Sequence, residues 1–319
     1  MNYSVPHFAR IVSLGTLVAI TALCGCSVRK LAVNKLGDAL AGSGTTFAGD
    51  DDPELIRQAI PFSLKLMESL LAESPEHREL LRATSSGFTQ YAYAFVQQDA
   101  DELEARDFAA AESLRTRARK LYLRARNYGL RGLESAHPGF TNQLFHAPTN
   151  AVRLLKKGDV PAVYWTAASW GALIALSKDD PARVSEIPQM ETLIDRAAAL
   201  DADWGDGSIH SFLINYEMSR QGIPGDPALR AKHHFQRAVD LGKGRVAGPF
   251  VTYAEAVCVE KQDLKEFESL LGQALAIDPA AHPEFRLVNE VMQRRARWLL
   301  SRKEDLFLLP AASAPTPAP

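Results

Sequence analysis

Few of the reactive side chains in this 319-residue chain stand at spacings that chemistry requires. A zinc hydrolase of the common helical type needs a His-Glu-x-x-His run, and none occurs. His233 and His234 are adjacent. A helix would turn them about 100° apart, so they cannot easily share one metal. Both read as surface residues, and no metal site is expected. The stretch Asp201 to Gly207 approaches a calcium loop, but its third acid and its Gly fall one place late. Phe212 stands where the closing Glu belongs. Gly242-Lys243-Gly244 lacks the length of a phosphate loop. There is no Gly-x-Ser-x-Gly elbow and no Cys-x-x-Cys pair. The expectation is a protein without catalytic residues, cofactor or metal.

Two features suit binding instead of reaction. Residues 113–133 carry Arg115, Arg117, Arg119, Lys120, Arg124, Arg126 and Arg131 with no acid among them. Such a run is commonly a solvated face. The alternative is a docking surface for an acidic partner or an anionic membrane, with Arg115, Arg119 and Arg126 as candidates. The second feature is aromatic density at Tyr164, Trp165, Trp170, Trp204, His210, Tyr216 and Tyr253. Most of these belong in a core. Trp165, Trp204, His210 and Tyr253 are the candidates for lining a groove that takes an apolar ligand or partner segment.

The elements that must position these residues are helical. Between residues 53 and 306 the hydrophobic period is that of helices, and Ala, Leu, Glu, Arg and Lys fill long runs. Asp52-Pro53-Glu54 is a helix start, and Ser74-Pro75-Glu76 repeats it. Residues 250–253 could be extended alone, but one such run makes no sheet. The second helix of a tetratricopeptide (TPR) hairpin carries a small residue, a large one four later and Ala three after that. Ala118-Tyr122-Ala125 and Ala231-Phe235-Ala238 fit; Met190-Ile194-Ala197, Phe267-Leu271-Ala274 and Phe62-Leu66-Ser69 fit more loosely. Ser169, Ser219 and Glu255 stand where the first helices should be small. The expected fold is all-α: degenerate TPR-like hairpins stacked into one solenoid-like unit, with a concave face for ligands.

The ends read differently. Residues 11–24 are uncharged and apolar, too short for a membrane span of about 20 residues. They end in Leu23-Cys24-Gly25-Cys26, which resembles the lipobox of bacterial lipoproteins and makes Cys26 the acylation site. Ser27 follows, and the absence of Asp there leans towards the outer membrane. The expected organisation is a signal peptide over 1–25, a lipid-anchored linker over 26–50, a helical domain over 51–306 and a disordered Pro-rich tail over 307–319. Residues 310–319 hold four prolines and no charge. Cys258 sits in an apolar stretch and reads as a buried small hydrophobe. A formal net charge of −2 removes the usual electrostatic footprint for nucleic acid.

Several stretches then carry a resemblance. They include Phe47 to Leu55, Ser86 to Tyr91, Tyr164-Trp165, Trp204-Gly205-Asp206-Gly207-Ser208-Ile209-His210, Ala274 to Pro279 and Arg294 to Leu300. Together they resemble the lipoprotein T component (TatT) associated with tripartite ATP-independent periplasmic (TRAP) transporters. The resemblance implies an all-helical fold with cryptic TPR hairpins, a homotrimer and a pore through each subunit. It also implies association with the solute-binding P component of a TRAP transporter and a hydrophobic or organic-acid ligand. It brings no catalytic residues. A TPR lipoprotein scaffold for cell-envelope assembly is the alternative.

Overall fold

The computed structural model describes residues 33–42 and 44–308. The expected signal peptide, Cys26 and residues 310–319 lie outside the described residues. The described part is all-α, with no strand among its residues and no helix long and apolar enough to cross a membrane.

Ten helices form the frame. They are α1 (Pro53–Glu73), α2 (Arg78–Ala92, prolonged by a π turn at Tyr93–Gln97 and by Gln98–Leu103), α3 (Phe108–Ala136), α4 (Val160–Ala175) and α5 (Ile187–Asp201). The rest are α6 (Trp204–Ser219), α7 (Pro227–Leu241), α8 (Gly248–Tyr253, prolonged by a π turn at Ala254–Cys258 and by Val259–Lys261), α9 (Leu264–Ala276) and α10 (Arg286–Ser301). The Asp52 start holds, since its carboxylate accepts from the amides of Glu54 at 3.0 Å and Leu55 at 2.9 Å. The expected start at Ser74 is displaced: Ser74 closes α1, and His77 caps α2 by accepting from the Leu80 amide at 3.3 Å. Residues 250–253 are helical, because Gly248-Pro249 opens a helix there.

Four hairpins carry the expected signature in their second helix, two of them as small–large–small and two with a large first residue. α2 pairs with α3, α4 with α5, α6 with α7 and α8 with α9. In the second helices Ala118, Tyr122 and Ala125; Met190, Ile194 and Ala197; and Phe267, Leu271 and Ala274 are buried, as are Ala231 and Ala238, whereas Phe235 between them is partly buried. Small residues let the helices approach, and the large one fills the space between them. The fifth expected site fails. Phe62 is 74% exposed, because α1 turns Ile56, Leu64, Met67 and Leu71 inward instead. Cys258 is fully enclosed in the C-terminal core, where burial pushes its thiol up to about 12.

Both edges of the folded body reach beyond 51–306. Residues 33–42 and Gly44–Ala48 are helical, and Val33, Leu40 and Phe47 pack on the first core cluster. His77 reaches back to the Asn34 carbonyl at 3.1 Å. At the other end Phe307 is buried edge-on against Phe267 at 4.9 Å.

The last helix returns to the first hairpin. Arg294 of α10 meets Asp99 and Glu102 on the extension of α2, each at 2.7 Å. Asp99 also takes the Arg57 guanidinium from α1. Arg295 joins Asp101 at 2.9 Å and pairs with Glu255 of the second π turn. Arg115 of α3 completes the group, 2.9 Å from Glu104 and 3.7 Å from Asp101. Burial raises the Asp101 carboxyl above its ordinary value, whereas Arg57 and Arg294 outweigh burial at Asp99 and hold it low. Arg295 is only 8% exposed in its side chain, so truncating it removes the ion pair of Glu255 and the nearer cation of Asp101. We expect Arg295→Ala to destabilise the fold by about 3 kcal/mol in urea unfolding. A loss below ~1 kcal/mol would show the closure to be dispensable.

Candidate ligand groove and docking face

The run from Trp204 to His210 is built on an unusual backbone. Gly205, Asp206 and Gly207 have φ of 65°, 52° and 90°, three left-handed residues in succession. Two glycines remove the Cβ penalty at two of these three positions. Gly207 has a second reason to be Gly, because a Cβ there would stand 2.9 Å from the Ala238 Cα and 3.2 Å from its carbonyl oxygen. This close approach locks the start of α6 onto α7. The Ser208 hydroxyl donates to the Gly205 carbonyl at 2.6 Å and closes the turn.

The turn presents Trp204 to α4. Its ring lies 4.9 Å from Tyr164, and Tyr164 meets Trp165 edge-on at 5.0 Å. Trp165 and Trp204 are both partly exposed, and Tyr164 lies between them. Burial raises the Tyr164 phenol to about 12, so it stays neutral. Trp170, by contrast, is wholly buried and donates to Glu186 at 2.7 Å.

One helical turn further along α6, His210 faces α7. Its Nδ1 is 2.8 Å from Nδ1 of His234. A hydrogen bond there requires one nitrogen to carry a proton and the other a lone pair. Burial and then the neighbouring His210 depress the His234 imidazole to about 4; burial, followed by Arg237, lowers His210. His210 Nε2 is buried without a partner among the described residues. His233 stays exposed, but His234 is half-buried, which corrects the expectation that both lie at the surface. The missed signal was the spacing Ala231, His234, Phe235, Ala238, the inward stripe of a helix.

Tyr253 belongs to a different place. It is 4% exposed in the C-terminal core and packs on Phe235 at 4.8 Å, and burial pushes its phenol up to about 12. The structure thus joins Trp165 and Trp204 through Tyr164 and sets His210 nearby on α6. It puts Tyr253 in the next cluster.

The arginines of α3 are engaged within the chain. Arg115 holds the end of α2 through Asp101 and Glu104. Arg119 meets Glu112 at 2.6 Å and the Leu176 carbonyl at 3.1 Å. Arg126 meets Glu186 at 2.8 Å and lies over the Trp170 ring at 5.0 Å. The run had no acid of its own, so neighbouring segments supply most of the partners. The exposed remainder is Arg117, Lys120, Arg124 and Arg131.

These contacts have two measurable consequences. Gly207→Ala should lower stability by about 2 kcal/mol or more in thermal unfolding, from left-handed strain and the clash with Ala238. The histidine pair makes stability fall with acid. Both folded pKa values lie below the unfolded one, so the unfolded chain binds more protons as pH drops from about 6.5 towards 4. The stability is complete above that window and lost on the way down. His234→Gln should shrink the difference in Tm between about pH 7.5 and 5; an unchanged difference would assign it to other groups.

Residues 49–307 match the family described as the TRAP transporter T-component. An uncharacterised protein of Treponema pallidum (strain Nichols) is 30% identical over 305 residues, covering 90% of this chain and 94% of that protein. The family match runs from just before Asp52, the cap of α1, to Phe307, the last buried residue, and so takes in the four hairpins and the closure alike. The chain belongs to the TRAP transporter T-component family, whose members are accessory subunits of a transporter.

Proposed function

We propose that this chain is a lipid-anchored T component on the periplasmic side of the membrane. It binds the solute-binding P component of its transporter and hands over or receives a ligand, without chemistry of its own. Family membership over residues 49–307 carries this reading. The aromatic cluster supports it at the level of residues. Tyr164, Trp165 and Trp204 form one partly exposed surface joined ring to ring, and such a surface takes a hydrophobic or amphipathic organic acid. A homotrimer acylated at Cys26, in the outer more than the inner membrane, completes the proposal.

Capture of periplasmic proteins by the acylated chain tests the partner. A P component should be recovered under mild conditions, and its repeated absence would refute the role. Anilinonaphthalene sulfonate titration tests the ligand surface. Trp204→Ala should bind this apolar anion about tenfold more weakly with unchanged far-UV circular dichroism. If the substitution unfolds the protein instead, Trp204 is a core residue.

A further inference from the structure

We infer that the outer face of α3, with the facing edge of α1, is a docking groove for an acidic segment of a partner protein. An open groove of about 380 Å³ runs there, lined by Glu68, Lys120, Leu123, Arg124, Tyr128 and Arg131. Three cations against one acid give it two excess positive charges (3 − 1). Its single acid is already matched: Glu68 holds Lys65 at 2.5 Å and accepts from the Tyr128 hydroxyl at 3.0 Å. Arg124 stands 3.5 Å from the same carboxylate. Lys120 is exposed and makes no hydrogen bond or ion pair among the described residues.

The groove is rigid where a docking surface needs to be. Phe88 and Tyr128 are stacked with ring centroids 6.1 Å apart and planes 5° from parallel. Arg124 lies over Phe88 at 5.3 Å and Arg131 over Tyr128 at 5.2 Å. Arg131 also donates to the Pro75 carbonyl at 3.1 Å. Two guanidiniums are thereby fixed on an aromatic pair before any ligand arrives, which lowers the ordering cost of binding. Their fork of N–H groups suits carboxylates, and Lys120 adds a mobile point charge at the rim. The inner arginines of the same helix are neutralised within the fold, so the surplus charge concentrates here.

The occupant is a protein segment and not a membrane. Lipid recognition by charge takes clusters of about four to eight cations on a surface that can lie flat. This site is concave and has three. The inference rests on the proposed role only in that a partner protein exists; the groove itself stands on its own contacts.

The test uses the full folded chain and a fluorescein-labelled hexaglutamate peptide, read by fluorescence anisotropy at low salt. Lys120→Glu removes a side chain with no internal partner, so its melting temperature should match the wild type. It should weaken peptide binding about tenfold. Lys120→Glu with Arg131→Glu should weaken it further, and Lys232→Glu, on the exposed face of α7, should leave it unchanged. Equal losses from Lys120→Glu and Lys232→Glu would overturn the inference, since binding would then depend on net charge alone. So would Lys120-dependent binding to phosphatidylglycerol vesicles with no peptide binding, which would assign the groove to lipid. P-component capture separates the two proposals. If the peptide depends on Lys120 but no P component is captured, the groove stands and the transport role falls. If capture succeeds and the peptide ignores Lys120, the role stands and the groove falls.

Discussion

The guanidinium of Arg295 is the contact on which the arrangement of the chain depends. It sits almost wholly inside the protein, between Asp101 from the first hairpin and Glu255 from the last. A buried arginine with no carboxylate would be strongly destabilised by desolvation, and the part-buried Asp101 and Glu255 supply its compensating charge. Arg295 therefore requires these acids, and residues nearly two hundred positions apart are held together. Tyr93 belongs to the same junction: it packs on both the first and the last core clusters, and its hydroxyl approaches the Met292 sulfur at 3.7 Å. Both π turns, Tyr93–Gln97 and Ala254–Cys258, contribute to this junction. A π turn inserts an extra residue into a helix and re-aims the turns C-terminal to it. One such turn carries Glu255 to Arg295, and the other immediately precedes the acidic segment of α2. An open-ended stack of hairpins would leave these charges in water. Here the ends meet, and α3, the scaffold of the basic groove, is held by the same network through Arg115.

The second constraint is steric. The left-handed turn at Gly205 to Gly207 brings α6 against α7 at a distance that excludes even one Cβ at Gly207. That contact decides two things at once. It swings Trp204 back over Tyr164, and it places His210 opposite His234. The aromatic cluster and the histidine pair are thus two consequences of one turn, which accounts for Trp204 to His210 forming a single contiguous run.

Much of the fold was legible because it is local. Caps, proline breaks and the small–large–small stripe act over one helical turn or two, and Ala118, Tyr122 and Ala125 or Phe267, Leu271 and Ala274 show their burial in their spacing alone. The features that escaped depend on neighbours that sequence distance conceals. α1 carries two apolar stripes, and only packing shows that Leu64 and Met67 face inward while Phe62 does not. Phe47 and Phe307 flank segments rich in Gly, Thr and Pro, so their composition pointed to spacer and tail although their rings are packed. The acids that neutralise Arg115 and Arg126 lie on other elements. The aromatic residues were grouped by type alone, and only packing shows that Trp165 and Trp204 meet through Tyr164 whereas Tyr253 lies in another cluster.

The arginine run on α3 shows how one helix serves two ends. A helix 29 residues long has an inner and an outer face, and the run places cations on both. On the inner face Arg115 and Arg126 tie α3 to the end of α2 and to the segment before α5, and apolar residues in their place would lose the ion pairs to Glu104 and Glu186. On the outer face Arg124 and Arg131 lie on aromatic rings, with their charge incompletely offset by Glu68. The division is set by where acids happen to stand on the neighbours, not by the run itself. A near-neutral chain thereby carries a local positive field, and its position is fixed by the same packing that hides the rest of the run.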